Sequence, residues 1–365
     1  MYLEWLNLAG FRSHETVEWR PDRGTNILVG DNGAGKTNLL EAVSYLATLR
    51  SFRSSPDEAL IAHDTDSAVI RGNVVRSEDS AALIEIEIRR RGPRRVQVNR
   101  QRLGRTADLI GHVRMVAFLP EDLDVIKRGP GLRRDLLDEA ATQLWPASYA
   151  DRMEFERALR QRNAFLKQGV EDPVTLSVWD ERLAQASGRL MTRRLRALEA
   201  IQAHLPTAYA NVSEASDEVD LEYRSTWSLS LDHATPAARF ASEMEQALMS
   251  ARRTDRDRRV TTVGPHRDEP AFVLTGHDAR HHASQGEQRT MALAVRLATH
   301  RAITAVTDTS PILLLDDVFS ELDPARARAL TTALPDAQTL ITTADPSHVP
   351  LEGTSWRLAD GRIAP

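Results

Sequence analysis

"ILVGDNGAGKTNLLEAVSYL", Ile27 to Leu46, holds one of only three lysines in a chain of 365 residues whose 47 basic residues are otherwise all arginine. Gly30, four further residues, then Gly35, Lys36 and Thr37 fit the phosphate-loop spacing G-x-x-x-x-G-K-[ST]. With 18 glycines and three lysines in the chain, chance would supply on the order of 10⁻³ such matches. Thr25 to Val29 reads as a short buried strand. Leu39, Leu40, Val43, Leu46 and Ala47 then recur at helical spacing between Asn38 and Leu49. Strand, loop and helix follow in the order a polyphosphate site needs: the loop backbone turns its N–H groups inward and the helix presents its positive end to the same anion. The expected ATP-binding set is Gly30, Asp31, Asn32, Gly33, Ala34, Gly35, Lys36, Thr37 and Asn38. Lys36 supplies a compact point charge that an arginine fork cannot imitate, and Thr37 offers a hydroxyl to Mg²⁺. The competing reading is a glycine-rich turn that merely starts a helix.

Composition narrows the function classes. Apolar residues at 41% and charged residues at 27% are globular values. The absence of cysteine excludes disulfides, thiolate metal sites and a cysteine nucleophile, and fits a reducing compartment. No segment approaches eighteen consecutive apolar residues, and the N-terminus lacks a basic start before an apolar run. A cytoplasmic protein with no membrane partner is expected. The net charge of −5 lends no support to nucleic-acid binding, which must rest on local clusters.

Along the chain, alternating residues in "YLEWLNLAGF" and "ETVEWR" predict a strand pair ahead of the loop. "AALIEIEIRR" and "RRVQVNRQ" predict two more strands flanking a hairpin tip at "RRGPRR". From Leu132 to about Arg259 the chain turns to long, charged, helix-period stretches. β character then returns, followed by a helix from Glu287, the apolar strand "PILLLDD", a helix after Pro324 and a last strand, "AQTLITTAD".

"PILLLDD" delivers Asp316 and Asp317 to the C-terminal end of a buried strand, where ligands bind in parallel α/β sheets. In a nucleotide hydrolase Asp316 would hold Mg²⁺ and Asp317 would orient or deprotonate the attacking water. In "ASQGEQRTMALAVRLATH", Ser284 and Glu287 make an S-x-x-E capping box that opens an apolar helix. Gly286 keeps the first turn free of bulk, so Ser284, Gln285, Gly286 and Glu287 form a second candidate anion site.

In order, the phosphate loop, "SQGEQ" at 284–288, "LLLDD" at 313–317 and "SELD" at 320–323 resemble the Walker A, signature, Walker B and D-loop motifs of ABC-type ATPases. "LNLAGFRSHE", "FLPEDLDVIKRGPGLRRDLLD" and "VGPHRDE" extend the likeness over the entire chain to the RecF family of recombination mediators. The resemblance implies an α/β head of the SMC type, with a P-loop sheet and an antiparallel β subdomain. Residues 1–125 and 260–365 would form the head, and 126–259 an inserted helical arm. It further implies an ATP- and Mg²⁺-dependent homodimer in which Ser284 acts on the partner subunit's nucleotide. Lys36, Ser284 and Asp317 would be catalytic, Thr37 and Asp316 metal-binding, and Ser320, Glu321, Leu322 and Asp323 the D-loop. Slow, DNA-stimulated hydrolysis of ATP would accompany binding of double-stranded or gapped DNA in the nucleoid, with RecR and RecO as partners. Two departures stand out. Asp317 occupies a position where most ABC proteins carry Glu, and neither a Q-loop glutamine nor a switch histidine stands where expected, leaving Glu121, Asp122, Asp345 and His348 as candidates. A transporter nucleotide-binding subunit is the alternative, but Ser284 lies 247 positions after Thr37, against roughly a hundred in such subunits.

From Arg89 to Arg105 there are eight arginines and no acid. Arg90, Arg91, Arg94 and Arg95 are the candidate DNA contacts, because charge at that density attracts phosphates by counterion release. An edge hairpin kept soluble by charge is the other reading.

Overall fold

The computed structural model describes residues 1–53, 55–77, 80–170, 172–213, 217–228, 231–359 and 361–364. Its first elements are β1 (Tyr2–Phe11), β2 (His14–Trp19), β3 (Thr25–Val29), α1 (Lys36–Thr48), β4 (Ser67–Ser77), β5 (Ser80–Arg89), β6 (Arg95–Val98), β7 (Gln101–Arg102) and β8 (Met115–Phe118). There follow α2 (Asp122–Lys127), α3 (Pro130–Leu144), α4 (Ala147–Gln168), α5 (Pro173–Gln202), α6 (Leu205–Val212), β9 (Val219–Arg224), α7 (Ala237–Arg258), β10 (Glu269–Leu274), β11 (His277–Asp278) and α8 (Ala279–His282). The chain closes with α9 (Gln285–Thr307), β12 (Ile312–Asp316), α10 (Pro324–Ala333), β13 (Thr339–Thr343), β14 (Thr354–Ala359) and β15 (Arg362–Ala364). Two compact units result: Met1–Asp122 with Ala208–Glu214 and Leu293–Pro365, and Leu123–Thr207 with Ala215–Ala292.

The first unit holds two six-stranded sheets. In one, ordered β15-β14-β3-β13-β12-β8, all neighbours run parallel except the β14–β15 pair. Every residue of β12 and β13 is buried, as strands covered on both faces require. The other sheet, ordered β2-β1-β4-β5-β6-β7, is antiparallel throughout. Along β5 the residues Ala82, Ile84, Ile86 and Ile88 are buried while Glu85 and Glu87 alternate with them, the period of a half-covered strand. α1 touches β1 and β4 on one side and β8, β12 and β13 on the other, so Leu39, Leu40, Val43 and Leu46 are fully enclosed. Buried Gln338 stitches β1 to the approach to β13: its amide donates to the carbonyls of Leu3 (2.9 Å) and Asp22 (2.8 Å) and accepts from the Leu3 N–H (2.7 Å). Both N–H donors and the carbonyl oxygen of this buried side chain are thus paired.

The second unit is built on α3, α4, α5 and α7 with the three-stranded sheet β11-β10-β9. Gly188 lets α5 and α7 meet closely, since a Cβ there would lie 2.2 Å from the Ala237 carbonyl oxygen. Fully buried Arg162 reaches Asp180 and Asp255, each at 2.7 Å, and buried Arg194 grips Asp138 at 2.7 and 2.9 Å. Such pairs stabilise the fold only while complete, because deleting one partner strands a buried charge at a cost of about 3–5 kcal/mol.

The fold class agrees with the sequence reading, and three details differ. Residues 260–292, expected with the C-terminal part of the head, pack with the helical unit because β10 pairs with β9 over six residues. β9 itself, "VDLEYR", lies inside the stretch read as helical, although its alternating burial was present in the sequence as alternating polarity. "AQTLITTAD" is also not the last strand: β14 follows and pairs parallel with β3. Among the described residues no helix is long and apolar enough to cross a membrane.

Candidate active site

β3 ends at Val29 and α1 starts at Lys36, leaving Gly30–Gly35 to make the loop. Gly35 precedes the helix with φ 98°, a left-handed conformation that favours glycine. Space demands glycine as well. A Cβ at Gly35 would lie 2.7 Å from Cε1 of His14 and 2.8 Å from Oγ of Ser13. The turn between β1 and β2 thus braces the loop from outside: His14 Nε2–H donates to the Gly35 carbonyl (3.0 Å), and Asn38 Nδ2–H donates to Ser13 Oγ (2.9 Å). Burial holds the His14 ring below the usual imidazole range by disfavouring its charged form. Lys36 is 8% exposed, its ammonium donating to the carbonyls of Gly30 (2.7 Å) and Asp31 (3.0 Å) inside the loop.

Three elements converge beside Lys36. Thr37 Oγ1 at the start of α1 donates to Asp316 Oδ1 (2.8 Å), and Thr342 Oγ1 of β13 donates to the same oxygen (2.6 Å). Asp316 ends β12, so adjacent parallel strands and the loop helix deliver their polar groups to one point. Next to it Asp317 adopts φ 49°. A non-glycine residue there is strained and must be held. It is held by its own N–H, which donates to both the carbonyl and the hydroxyl of Thr342, each at 3.1 Å. Asp317 Oδ1 is buried and has no protein partner among the described residues. Ser320 Oγ donates to the Asp317 carbonyl (2.7 Å) from the 3₁₀ turn Val318–Glu321, in which Glu321 is exposed. After Leu322, Asp323 caps α10 by accepting from the N–H groups of Ala325 (3.1 Å) and Arg326 (2.9 Å). Those bonds hold its carboxyl below the usual range.

In the second unit the capping box is formed: the Ser284 N–H donates to Glu287 Oε2 (2.6 Å), and the Glu287 N–H donates to Ser284 Oγ (3.3 Å). The Ser284 bonds hold the Glu287 carboxyl below its usual range. Gln285 and Gly286 complete the first turn of α9.

The remaining candidates sort differently. Asp122 is committed to the fold, gripped by Arg296 at 2.5 and 3.0 Å and by the Leu119 N–H at 2.9 Å, so it is unavailable to handle water. Glu121 is exposed beside it. Asp345 caps the short turn Pro346–His348 by accepting from the Ser347 N–H (2.9 Å), with His348 3.9 Å from its carboxylate. Of the hairpin arginines, Arg90 donates to the carbonyls of Ala62, His63 and Thr65 at 2.7–3.0 Å. Arg94 donates to the Leu49 carbonyl (2.7 Å) and the Tyr45 hydroxyl (2.8 Å), and Arg95 lies 3.8 Å from Glu87. Only Arg91 of the four is exposed with no side-chain partner among the described residues. Sequence reasoning missed His14 and Thr342. The first is 21 residues from the glycine it braces, and the second sat unmarked in the stretch read only as the last strand.

The model of the RecF/RecN/SMC N-terminal domain matches residues 2–352. The DNA replication and repair protein RecF of Arthrobacter sp. (strain FB24) is 39% identical over 396 residues, covering 100% of this chain and 98% of its own. The solved "recombination mediator protein RecF-ATPrS in RecFOR pathway" superposes with a TM-score of 0.91 at 29% identity, over 99% of this chain and 97% of that one. Its counterpart described as RecF-ATP gives 0.88 at 29% identity, over 100% and 98% of the two chains.

Proposed function

The chain belongs to the RecF/RecN/SMC N-terminal domain family, within it to the RecF proteins, and we propose that it is an ATP-switched DNA-binding mediator of the RecFOR pathway. One observation carries the reading. Lys36, Thr37, Asp316 and Thr342 meet at the mouth of a loop whose glycine cannot be enlarged, while Asp317 is strained beside them with a buried oxygen that has no partner among the described residues. Lys36 and the loop N–H groups bind the β- and γ-phosphates of ATP. One hydroxyl and one carboxylate oxygen suit Mg²⁺, which takes one or two protein ligands and fills its shell with phosphates and water. Thr37 and Asp316 would hold the ion, and when bound it neutralises charge on the phosphates. Asp317 Oδ1 orients the attacking water and accepts its proton as water oxygen bonds to the γ-phosphorus and the bond to the ADP oxygen breaks. Turnover is slow, since the shorter aspartate stands farther from the water than a glutamate would.

The signature Ser284–Glu287 presents a helix N-terminus and a hydroxyl to the partner subunit's γ-phosphate, so ATP joins two heads and hydrolysis parts them. The closed dimer grips double-stranded or gapped DNA in the cytoplasm and, with RecR and RecO, loads recombinase. The carboxylates provide the test. Asp317→Asn keeps ATP binding and slows hydrolysis by at least about 100-fold, so the ATP-bound dimer accumulates in sedimentation velocity. Asp316→Asn weakens Mg²⁺-dependent ATP affinity and hydrolysis together. An Asp317→Asn variant that hydrolyses ATP at the unmodified rate would refute the assignment.

A further inference from the structure

Gln288 closes the segment "SQGEQ", and nothing in the nucleotide-binding reading uses its side chain. It lies one turn into α9, 6% exposed, with Nε2 3.1 Å from the Ala283 carbonyl, 3.2 Å from that of Ala279 and 3.4 Å from that of Arg280. These are the carbonyls of the first two residues of α8 and of the residue that follows the helix. The Ala283 N–H already donates to the Ala279 carbonyl (3.3 Å), but a four-residue helix is too short to satisfy the other two carbonyls itself. The amide shares two N–H donors among three acceptors, so the position requires a donor. The other end of α8 is also fixed: Asp278 accepts from the Arg280 N–H (3.0 Å) and from Arg224 Nη1 (2.8 Å). Ser284 therefore sits between two closures, the capping box to Glu287 ahead of it and the Gln288 clamp behind it.

We propose that Gln288 is a positioning residue, aiming Ser284 Oγ and the first-turn N–H groups of α9 at the partner's nucleotide by locking α8 onto the signature helix. The inference rests on the signature acting across a dimer. A donor that orients anion-binding groups matters to the degree that those groups must be preorganised: misdirection by an ångström forfeits the contact while the hydrogen bonds to water remain. Because the clamp belongs to the signature and not to the phosphate loop, its loss should separate two measurable steps.

The experiment compares Gln288→Met, which keeps the volume and removes the donor, and Gln288→Glu, which keeps the shape and turns a carboxylate toward three carbonyls, with Ser284→Arg as reference. Calorimetric titration should give an ATP affinity within about twofold of the unmodified protein for all three, as loop binding in one subunit precedes assembly. Sedimentation with ATP and Mg²⁺ should show dimerisation weakened about tenfold in Gln288→Met and more in Gln288→Glu, roughly the loss of one preorganised contact. Dimerisation of Gln288→Met at the unmodified level, or an equal fall in ATP affinity, overturns the positioning role. If Ser284→Arg fails to dimerise while Gln288→Met matches the unmodified protein, only that role falls. If Ser284→Arg itself dimerises normally, the reading beneath it falls too.

Discussion

Gly33 and Gly35 stand two residues apart with φ values of 85° and 98°, but only Gly35 is enclosed. Nothing lies within 4 Å of a Cβ at Gly33, whereas one at Gly35 meets His14 and Ser13 below 3 Å. Gly33→Ala should therefore cost only the left-handed strain, about 1–2 kcal/mol. Gly35→Ala adds overpacking of about 1–3 kcal/mol, for a total of about 2–5 kcal/mol. The two terms separate in a double-mutant cycle. His14→Ala removes the ring that a Cβ would strike but leaves Ser13 Oγ, so His14→Ala/Gly35→Ala should recover part of the overpacking term, about 1 kcal/mol or more, relative to the sum of the single changes. Amide hydrogen exchange of α1 reads the local stability of this segment directly, and the ATP affinity should follow the same order. Equal costs at Gly33 and Gly35, or strict additivity with His14→Ala, would remove the β1–β2 turn from the account of why the loop holds its shape.

Two predictions concern other parts of the first unit. Arg91→Ser should weaken duplex binding and reduce the log–log salt slope by about 1 without touching stability, whereas Arg94→Ser, which loses the Leu49 carbonyl and Tyr45 hydroxyl, should destabilise α1 by about 1–3 kcal/mol. An unchanged slope for Arg91→Ser would return the hairpin to a solubilised edge. His300, buried and donating to the Pro311 carbonyl, is pushed down to about 4 by burial. The unfolded chain then binds the proton more readily between the two values, so stability is lost as pH falls from about 6.5 to 4, by about 3 kcal/mol. Parallel denaturation of His300→Gln should show that component missing, and an identical pH dependence would contradict it.

The phosphate loop, the carboxylate pair and the capping box were legible because each is contiguous: their residues communicate through the backbone at fixed spacing. β12 was legible because burial on both faces leaves an unbroken apolar run. What the sequence hid is tertiary. Thr342 matters only because β13 lies beside β12, and His14 only because the β1–β2 turn folds against Gly35. The hairpin arginines show the limit of composition, for charge density predicted phosphate contacts while Arg90 and Arg94 spend their guanidinium groups on backbone carbonyls. β9 was lost to the helical period on either side of it. Only its pairing with β10 fixes the second unit's extent beyond the helices.

The central claim, that each nucleotide is completed by the signature of a second copy, is tested most directly by mixing two inactive variants. Lys36→Met retains a sound signature but no working loop, and Ser284→Arg retains the loop but blocks its own signature. Alone, neither should hydrolyse ATP. Mixed with DNA, ATP and Mg²⁺, they can form one complete site from the loop of one and the signature of the other, and hydrolysis should reappear in proportion to the product of their concentrations. Mixtures as inactive as the separate variants would contradict action across a dimer and return the signature to its own subunit.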